Sequence, residues 1–127
     1  MSSLIGDSIV YGGAWTSSAL REVFEEVPKT RAWLGILAVL AETQAAFGLI
    51  PEDDARGVAA TCRALDVDDD FLNEVRAGYE TSGHSLVGLL DAVARRCPDE
   101  TGEWLCYGAT VQDITDTWLM TALGVAR

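Results

Sequence analysis

Between Pro28 and Pro51 the apolar residues Trp33, Ile36, Leu37, Leu40 and Phe47 recur at intervals of three and four, with Gln44 in the same register. That spacing lays one stripe along a helix of 3.6 residues per turn and cannot serve a strand, whose faces alternate every second residue. The stripe must be buried, so other elements of the chain have to cover it. Pro28 predicts the helix start, where its missing N–H costs nothing. Gly48 predicts a left-handed end, with Leu49 and Ile50 folding back on the last turn.

The other segments also read as helices, and none shows convincing period-two alternation, so the fold class is all-α. Residues 1–15 read as irregular, with Tyr11 and Trp15 as anchors onto a core. Thr16, Ser17 and Ser18 offer N-cap oxygens for a short helix reaching about Val27. Pro51 opens a helix whose first turn holds Glu52, Asp53 and Asp54, where the helix dipole favours negative charge. Its inward positions are Ala55, Val58, Ala59 and Cys62. Asp66 to Asp70 mark another start, with Phe71, Leu72, Val75 and Tyr79 inward. Thr81-Ser82-Gly83 break that helix, and His84 or Ser85 begins the next, which turns Leu86, Leu89, Leu90 and Val93 to one side and stops at Cys97-Pro98. Beyond Trp104-Leu105-Cys106-Tyr107 and a Gly108-Ala109 turn, Thr110 caps a last helix with the stripe Val111, Ile114, Trp118 and Ala122. The Thr-x-x-Asp spacing from Thr110 to Asp113 matches a capping box with Asp in place of Glu. This helix carries no stop signal and is apolar on more than one side, which predicts packing on several neighbours, either in an oligomer or as the front of a longer protein.

A chain of 127 residues bounds a single domain with room for a real core. A net charge of −11 argues against nucleic acid and against an anionic membrane as partners, since both need a basic face. No apolar run approaches the roughly 18–20 residues of a membrane span, and the N-terminus lacks the basic start and apolar core of a signal peptide. Cys62, Cys97 and Cys106 are odd in number and widely spaced, and read as reduced thiols of a cytoplasmic protein. With His84 as the only histidine and no Cys-x-x-Cys, the sequence calls for no metal, and it calls for no cofactor. The run from Asp66 to Asp70 fails as a calcium loop because Phe71 and Ala77 occupy the positions that require Gly and Glu. Asp69-Asp70-Phe71-Leu72-Asn73-Glu74 has the spacing of the diphosphate-binding motif of terpene synthases, but that chemistry needs a second metal-binding segment and a larger cavity. The run reads as an acidic helix start.

Two places remain as candidate sites. His84, at an expected helix start, lies where backbone N–H groups attract anions. Gly108 to Thr117 reads either as a turn and a capped helix and nothing more, or as an anion site. In the second reading small residues let the backbone approach a ligand, and Thr110 and Gln112 add neutral donors to those of the helix end.

The run Tyr107-Gly108-Ala109-Thr110-Val111-Gln112-Asp113-Ile114-Thr115-Asp116-Thr117 resembles the first signature region of the fumarase/aspartase superfamily, in its adenylosuccinate lyase and carboxymuconate cycloisomerase branch. Thr81-Ser82-Gly83-His84 resembles that branch's Thr-x-x-His segment. Arg31-Ala32-Trp33-Leu34, Ala41-Glu42-Thr43-Gln44-Ala45 and Phe47-Gly48-Leu49-Ile50-Pro51 resemble its N-terminal domain. The resemblance covers nearly the whole chain in order and spacing. It implies an all-helical lyase several-fold longer than this chain, with residues 1–109 as the N-terminal domain and residues 110–127 as the first turns of a central helix bundle. It further implies a homotetramer with active sites shared among subunits, and anti β-elimination of a succinyl-type substrate with release of fumarate, or the related cycloisomerisation. Thr110, Val111, Gln112 and Asp113 would hold or shape the place of a substrate carboxylate, and His84 would contact a phosphate or distal carboxylate. The catalytic serine loop and acid histidine have no counterpart here, so the chain alone is expected to be inactive. Three departures leave open a polycarboxylate other than adenylosuccinate: Val111 stands where the family often has a second hydroxyl, Cys106 where adenylosuccinate lyases commonly have histidine, and Val10-Tyr11 where they have an arginine-tyrosine pair. The competing reading is a non-catalytic helical module for oligomerisation or protein interaction through the last helix.

Overall fold

The computed structural model describes residues 6, 8–15 and 17–125, with backbone alone for Trp15 and Val125. Thr16 as a cap, the Trp15 side chain as an anchor, and residues 126 and 127 therefore lie outside the described residues. The elements are α1 (Gly12–Trp15), α2 (Ser18–Phe24), α3 (Glu26–Ala46), α4 (Glu52–Ala64), α5 (Asp69–Ser82), α6 (Val87–Ala94) and α7 (Val111–Val125), with a short 3-10 helix at Thr101–Trp104. The fold is all-α, and no strand occurs among the described residues. α3 packs against α4, α5 against α6, and α7 lies on α3, while the 3-10 helix bridges α4 and α6.

Local chemistry sets most of these boundaries. Ser17 caps α2, its Oγ accepting from the Leu20 N–H at 3.2 Å. The break to α3 falls at Glu25, with φ −63° and ψ 155°, two residues earlier than the sequence suggests. Pro28 thus sits in the third position of α3. A helix running unbroken through it would drive the proline ring into the carbonyl of Phe24, so the chain must turn before that contact forms. At the other end, Gly48 takes φ +70° and closes a Schellman motif: its N–H bonds the Ala45 carbonyl at 2.8 Å, and the Leu49 N–H bonds that of Gln44 at 2.9 Å. Ile50 folds into the core as expected, but Leu49 stays exposed. Asp68 caps α5 by accepting from the Phe71 N–H at 2.8 Å. In the N-terminal segment Tyr11 is exposed, so it does not anchor the core, and a single helical turn, α1, forms where irregular chain was expected.

The core gathers Leu34, Leu37, Ala38 and Ala41 of α3 with Ala55, Val58, Ala59 and Cys62 of α4, then Phe71, Leu86, Leu89, Ala92, Val93 and Ile114. The α4 and α7 stripes fall where the sequence places them. The α3 stripe is rotated. Its buried line is Thr30, Leu34, Leu37, Ala38 and Ala41, whereas Trp33, Ile36, Leu40 and Gln44 are half-buried and Phe47 is exposed. α3 is apolar on most of its circumference, so the choice falls to packing. The face with Ala38 and Ala41 lets α4, itself rich in alanine, approach closely. On α5, Phe71 is buried, Leu72 and Val75 are half-buried and Tyr79 is exposed.

α5 and α6 touch at two glycines. A Cβ added at Gly78 would lie 2.6 Å from the Gly88 Cα, and one added at Gly88 would press on the Val75 carbonyl and lie 2.9 Å from the Tyr79 nitrogen. Arginines brace the outside. Arg95 and Arg96 reach Glu74 across the same helix pair at 2.6 and 2.7 Å, Arg96 covers the Phe71 ring, and Arg63 joins Glu42 across α3 and α4.

This packing has two testable outcomes. Gly88→Ala inserts a methyl where backbone already stands and should destabilise the fold by about 1–3 kcal/mol in urea unfolding, despite alanine's better helix propensity. The hydrogen bonds from Arg96 and Arg95 hold the Glu74 carboxyl down to about 2 from its ordinary 4.5. A group depressed in the folded state stabilises above its unfolded pKa and loses that contribution as pH falls toward its folded value. The wild-type chain should therefore lose stability more steeply than Glu74→Gln between about pH 4.5 and pH 2, read as unfolding midpoints at each pH.

Candidate functional site

The candidate segment begins where the chain must reverse to start α7. Cys106 and Gly108 both adopt left-handed conformations, with φ 61° and 65°. Glycine adopts this without cost, and at Cys106 the local contacts hold a side chain there. The Ala109 N–H returns to the Cys106 carbonyl at 3.2 Å, and the Trp104 and Tyr107 rings meet at a tilt with centroids 5.0 Å apart. The turn is tied to α3 by Gln44, whose Nε2 donates to the Tyr107 carbonyl at 2.6 Å. Sequence reasoning placed Gln44 only as a member of the stripe. A polar residue at a stripe position was the available signal that it serves a specific contact.

At the start of α7 the Asp113 carboxylate reaches back and accepts from the Thr110 N–H at 2.7 Å and from its hydroxyl at 3.0 Å. This is one half of a capping box. The Thr110 hydroxyl donates to Asp113 instead of accepting from a backbone N–H. The two hydrogen bonds from Thr110, backbone first, hold the Asp113 carboxyl below its usual range. Gln112 turns its amide to Asp116 at 3.3 Å. Internal carboxylates therefore already occupy the Thr110 and Gln112 side-chain donors that the sequence offered to a ligand. Val111 is half-buried and adds no polar group, and of the first N–H groups of α7 that of Asp113 is taken by the Thr110 carbonyl at 3.1 Å.

His84 is elsewhere. It is exposed in the link between α5 and α6, its N–H donating to Ser82 Oγ at 3.2 Å, and α6 begins only at Val87. The expected placement of His84 at a helix start is corrected by this. Gly83, left-handed at the end of α5, ends the first helix, and the chain passes through His84 and Ser85 before Leu86 turns inward. Thr110, Gln112 and Asp113 are thus together, and His84 sits on a different element.

Burial, and then the neighbouring Cys97, push Cys62 up to about 12, and burial raises Cys97 and Cys106 as well. Between α3 and α7 runs an open apolar groove of about 660 Å³ lined by Gly35, Ile36, Val39, Leu40 and Trp118, with Leu119, Met120 and Leu123 of α7 also exposed. No helix of the described residues is long and apolar enough to cross a membrane.

No family model matches the chain. Individual proteins do. An adenylosuccinate lyase of Methanocaldococcus jannaschii is 34% identical over 98 residues, which is 77% of this chain and 21% of that protein. A trans-aconitate decarboxylase of Mycosarcoma maydis is 33% identical over 98 residues, 77% of this chain and 19% of its own length. An N-acetyl-S-(2-succino)cysteine lyase of Dickeya dadantii is 30% identical over 119 residues, 92% of this chain and 25% of its own. The chain spans about a fifth to a quarter of the length of these curated relatives. With an all-helical fold and this set of relatives across most of its residues, the chain belongs to the fumarase/aspartase superfamily and corresponds to the N-terminal part of its members.

Proposed function

We propose that this chain is the N-terminal section of an adenylosuccinate lyase-like enzyme that performs anti β-elimination on a succinyl-type substrate, releasing fumarate, or the related cycloisomerisation. The observation that carries the reading is the Thr110–Asp113 cluster at the start of α7, in a chain whose relatives are named for lyases of succinyl compounds. Two of those names share a succinyl group and differ in what it is attached to, and the third names a polycarboxylate. The part common to them is a set of carboxylates, so the site common to the family should hold a carboxylate.

In this reading Thr110 and the first N–H groups of α7 receive one substrate carboxylate, displacing Asp113. Gln112 and Asp113 shape the site, Val111 narrows it, and His84 contacts a distal anionic group. A base removes the proton alpha to a carboxylate, the resulting dianion is stabilised by donors, and an acid protonates the leaving group. Base and acid belong to a serine loop and a histidine outside this segment, so the 127-residue chain alone is inactive. The working enzyme is a cytoplasmic homo-oligomer, a tetramer in the family's manner. The apolar groove between α3 and α7 supports burial of that face in a larger assembly. It equally favours a second reading, a non-catalytic interaction module. Sedimentation separates the two when joined to ligand binding: a chain that self-associates but ignores dicarboxylates would favour the module.

The decisive assay tracks fumarate absorbance when a panel of succinyl compounds is given to a protein in which this segment is joined to the serine loop and histidine. Product from none of them would sink the lyase reading. In an active protein Thr110→Val should lower kcat/KM by about 10- to 100-fold, the scale of one hydrogen bond to a charged group. Substrate displacement of Asp113 has its own signature. At saturating dicarboxylate the Asp113 carboxyl should titrate closer to its ordinary 3.8, as seen by carbon NMR, because Thr110 no longer holds it. An unchanged titration with ligand bound would remove Thr110 from the site.

A further inference from the structure

A second place on the molecule gathers cationic and hydroxyl side chains apart from the start of α7, and it does not depend on the lyase reading. The N-terminal half of α3 and the middle of α5 enclose a cleft of about 340 Å³ lined by Lys29, Trp33, Arg76, Tyr79 and Ser85, with Glu26 as the one carboxylate on its wall. Two cations against one anion is unusual on a chain of net charge −11. Most arginines here are engaged by carboxylates: Arg31, Arg56, Arg63, Arg95 and Arg96 each have an ion pair within 3.5 Å. The two cations of the cleft are not held this way. Lys29 stands over the Trp33 ring, its Nζ 5.3 Å from the centroid, and Arg76 approaches Glu80 only at 4.0 Å.

The donor inventory decides what such a cleft takes. Ammonium, guanidinium and indole N–H groups donate and cannot accept, while Tyr79 and Ser85 supply hydroxyls that can do either. The Trp33 Nε1 is buried and has no hydrogen-bond partner among the described residues. A buried donor left unpaired costs on the order of 1–3 kcal/mol, and with Trp33 on the cleft wall its N–H signal reports on that wall. We propose that this α3–α5 cleft binds an oxyanion, a carboxylate or phosphate group, between Lys29 and Arg76 and beside Trp33. The site is distinct from the α7 start, because none of Thr110, Gln112 and Asp113 lines the cleft.

The test is an NMR titration of the 127-residue chain with inorganic phosphate and, separately, with succinate, at fixed low ionic strength. The readout is the indole Nε1–H signal of Trp33, assigned by its loss in Trp33→Phe. The expected result is a saturable shift with at least one anion, the tighter one identifying the headgroup. Lys29→Gln and Arg76→Gln should each weaken binding at least fivefold, and Arg76→Lys should restore part of it. Arg76 is exposed and Lys29 half-buried, and circular dichroism checks that the variants remain folded. The proposal is overturned if neither anion gives a saturable shift, or if the shift survives in the double Lys29→Gln, Arg76→Gln variant. Loss of the shift in Thr110→Val would also overturn it, since the anion would then be bound at α7.

Discussion

Everything in this fold leans on the contact between α3 and α4, where alanines on both helices bring the backbones close and Leu34, Leu37 and Val58 fill the seam. The energy is ordinary hydrophobic burial, about 25 cal/mol per Å² of apolar surface removed from water. What matters more is that the alanine face fixes how α3 is rotated. Once Ala38 and Ala41 face α4, Trp33 is turned toward Trp118 of α7, which takes edge-on aromatic contacts from Trp33 and from Phe24 of α2. The position of α7, and with it the Thr110–Asp113 cluster, is thus inherited from a choice made between two other helices.

The legibility of the sequence obeys the same logic. α4 and the first turns of α7 are polar on one side, so their stripes could be read directly, and Ala55, Val58, Ala59 and Cys62, with Ile114 and Ala122, are buried as expected. α3 is apolar nearly all round, and periodicity cannot choose among several plausible faces. Small residues chose it, and their advantage exists only when a second helix is present. Pro28 marks a real boundary but stands two residues inside it, because a proline constrains the turn before it more strongly than the turn after it. The difference at His84 arises from a glycine stop that needs a link before the next helix, and spacing alone does not reveal the link's length.

The candidate segment was legible as a motif and less so as a geometry. Thr110 with Asp113 three residues on is visible in the sequence as a cap. That the carboxylate takes both donors of Thr110, while the hydroxyl gives nothing to the backbone, depends on the rotamers adopted after two left-handed residues. The tie from Gln44 to Tyr107 is a contact over 63 positions and has no local signature.

The occupied state of Thr110 has a consequence for any ligand of α7. Asp113 is tethered three residues away, so it competes at the high effective concentration of an intramolecular partner. An incoming carboxylate cannot win on charge and donors alone, because the resident group offers the same chemistry without losing translational freedom. Selectivity must come from the rest of the molecule that carries the carboxylate, held by groups that Asp113 cannot imitate. A local cap of this kind acts as a threshold: it leaves the helix end quiet toward stray anions and responds only to those recognised at more than one point.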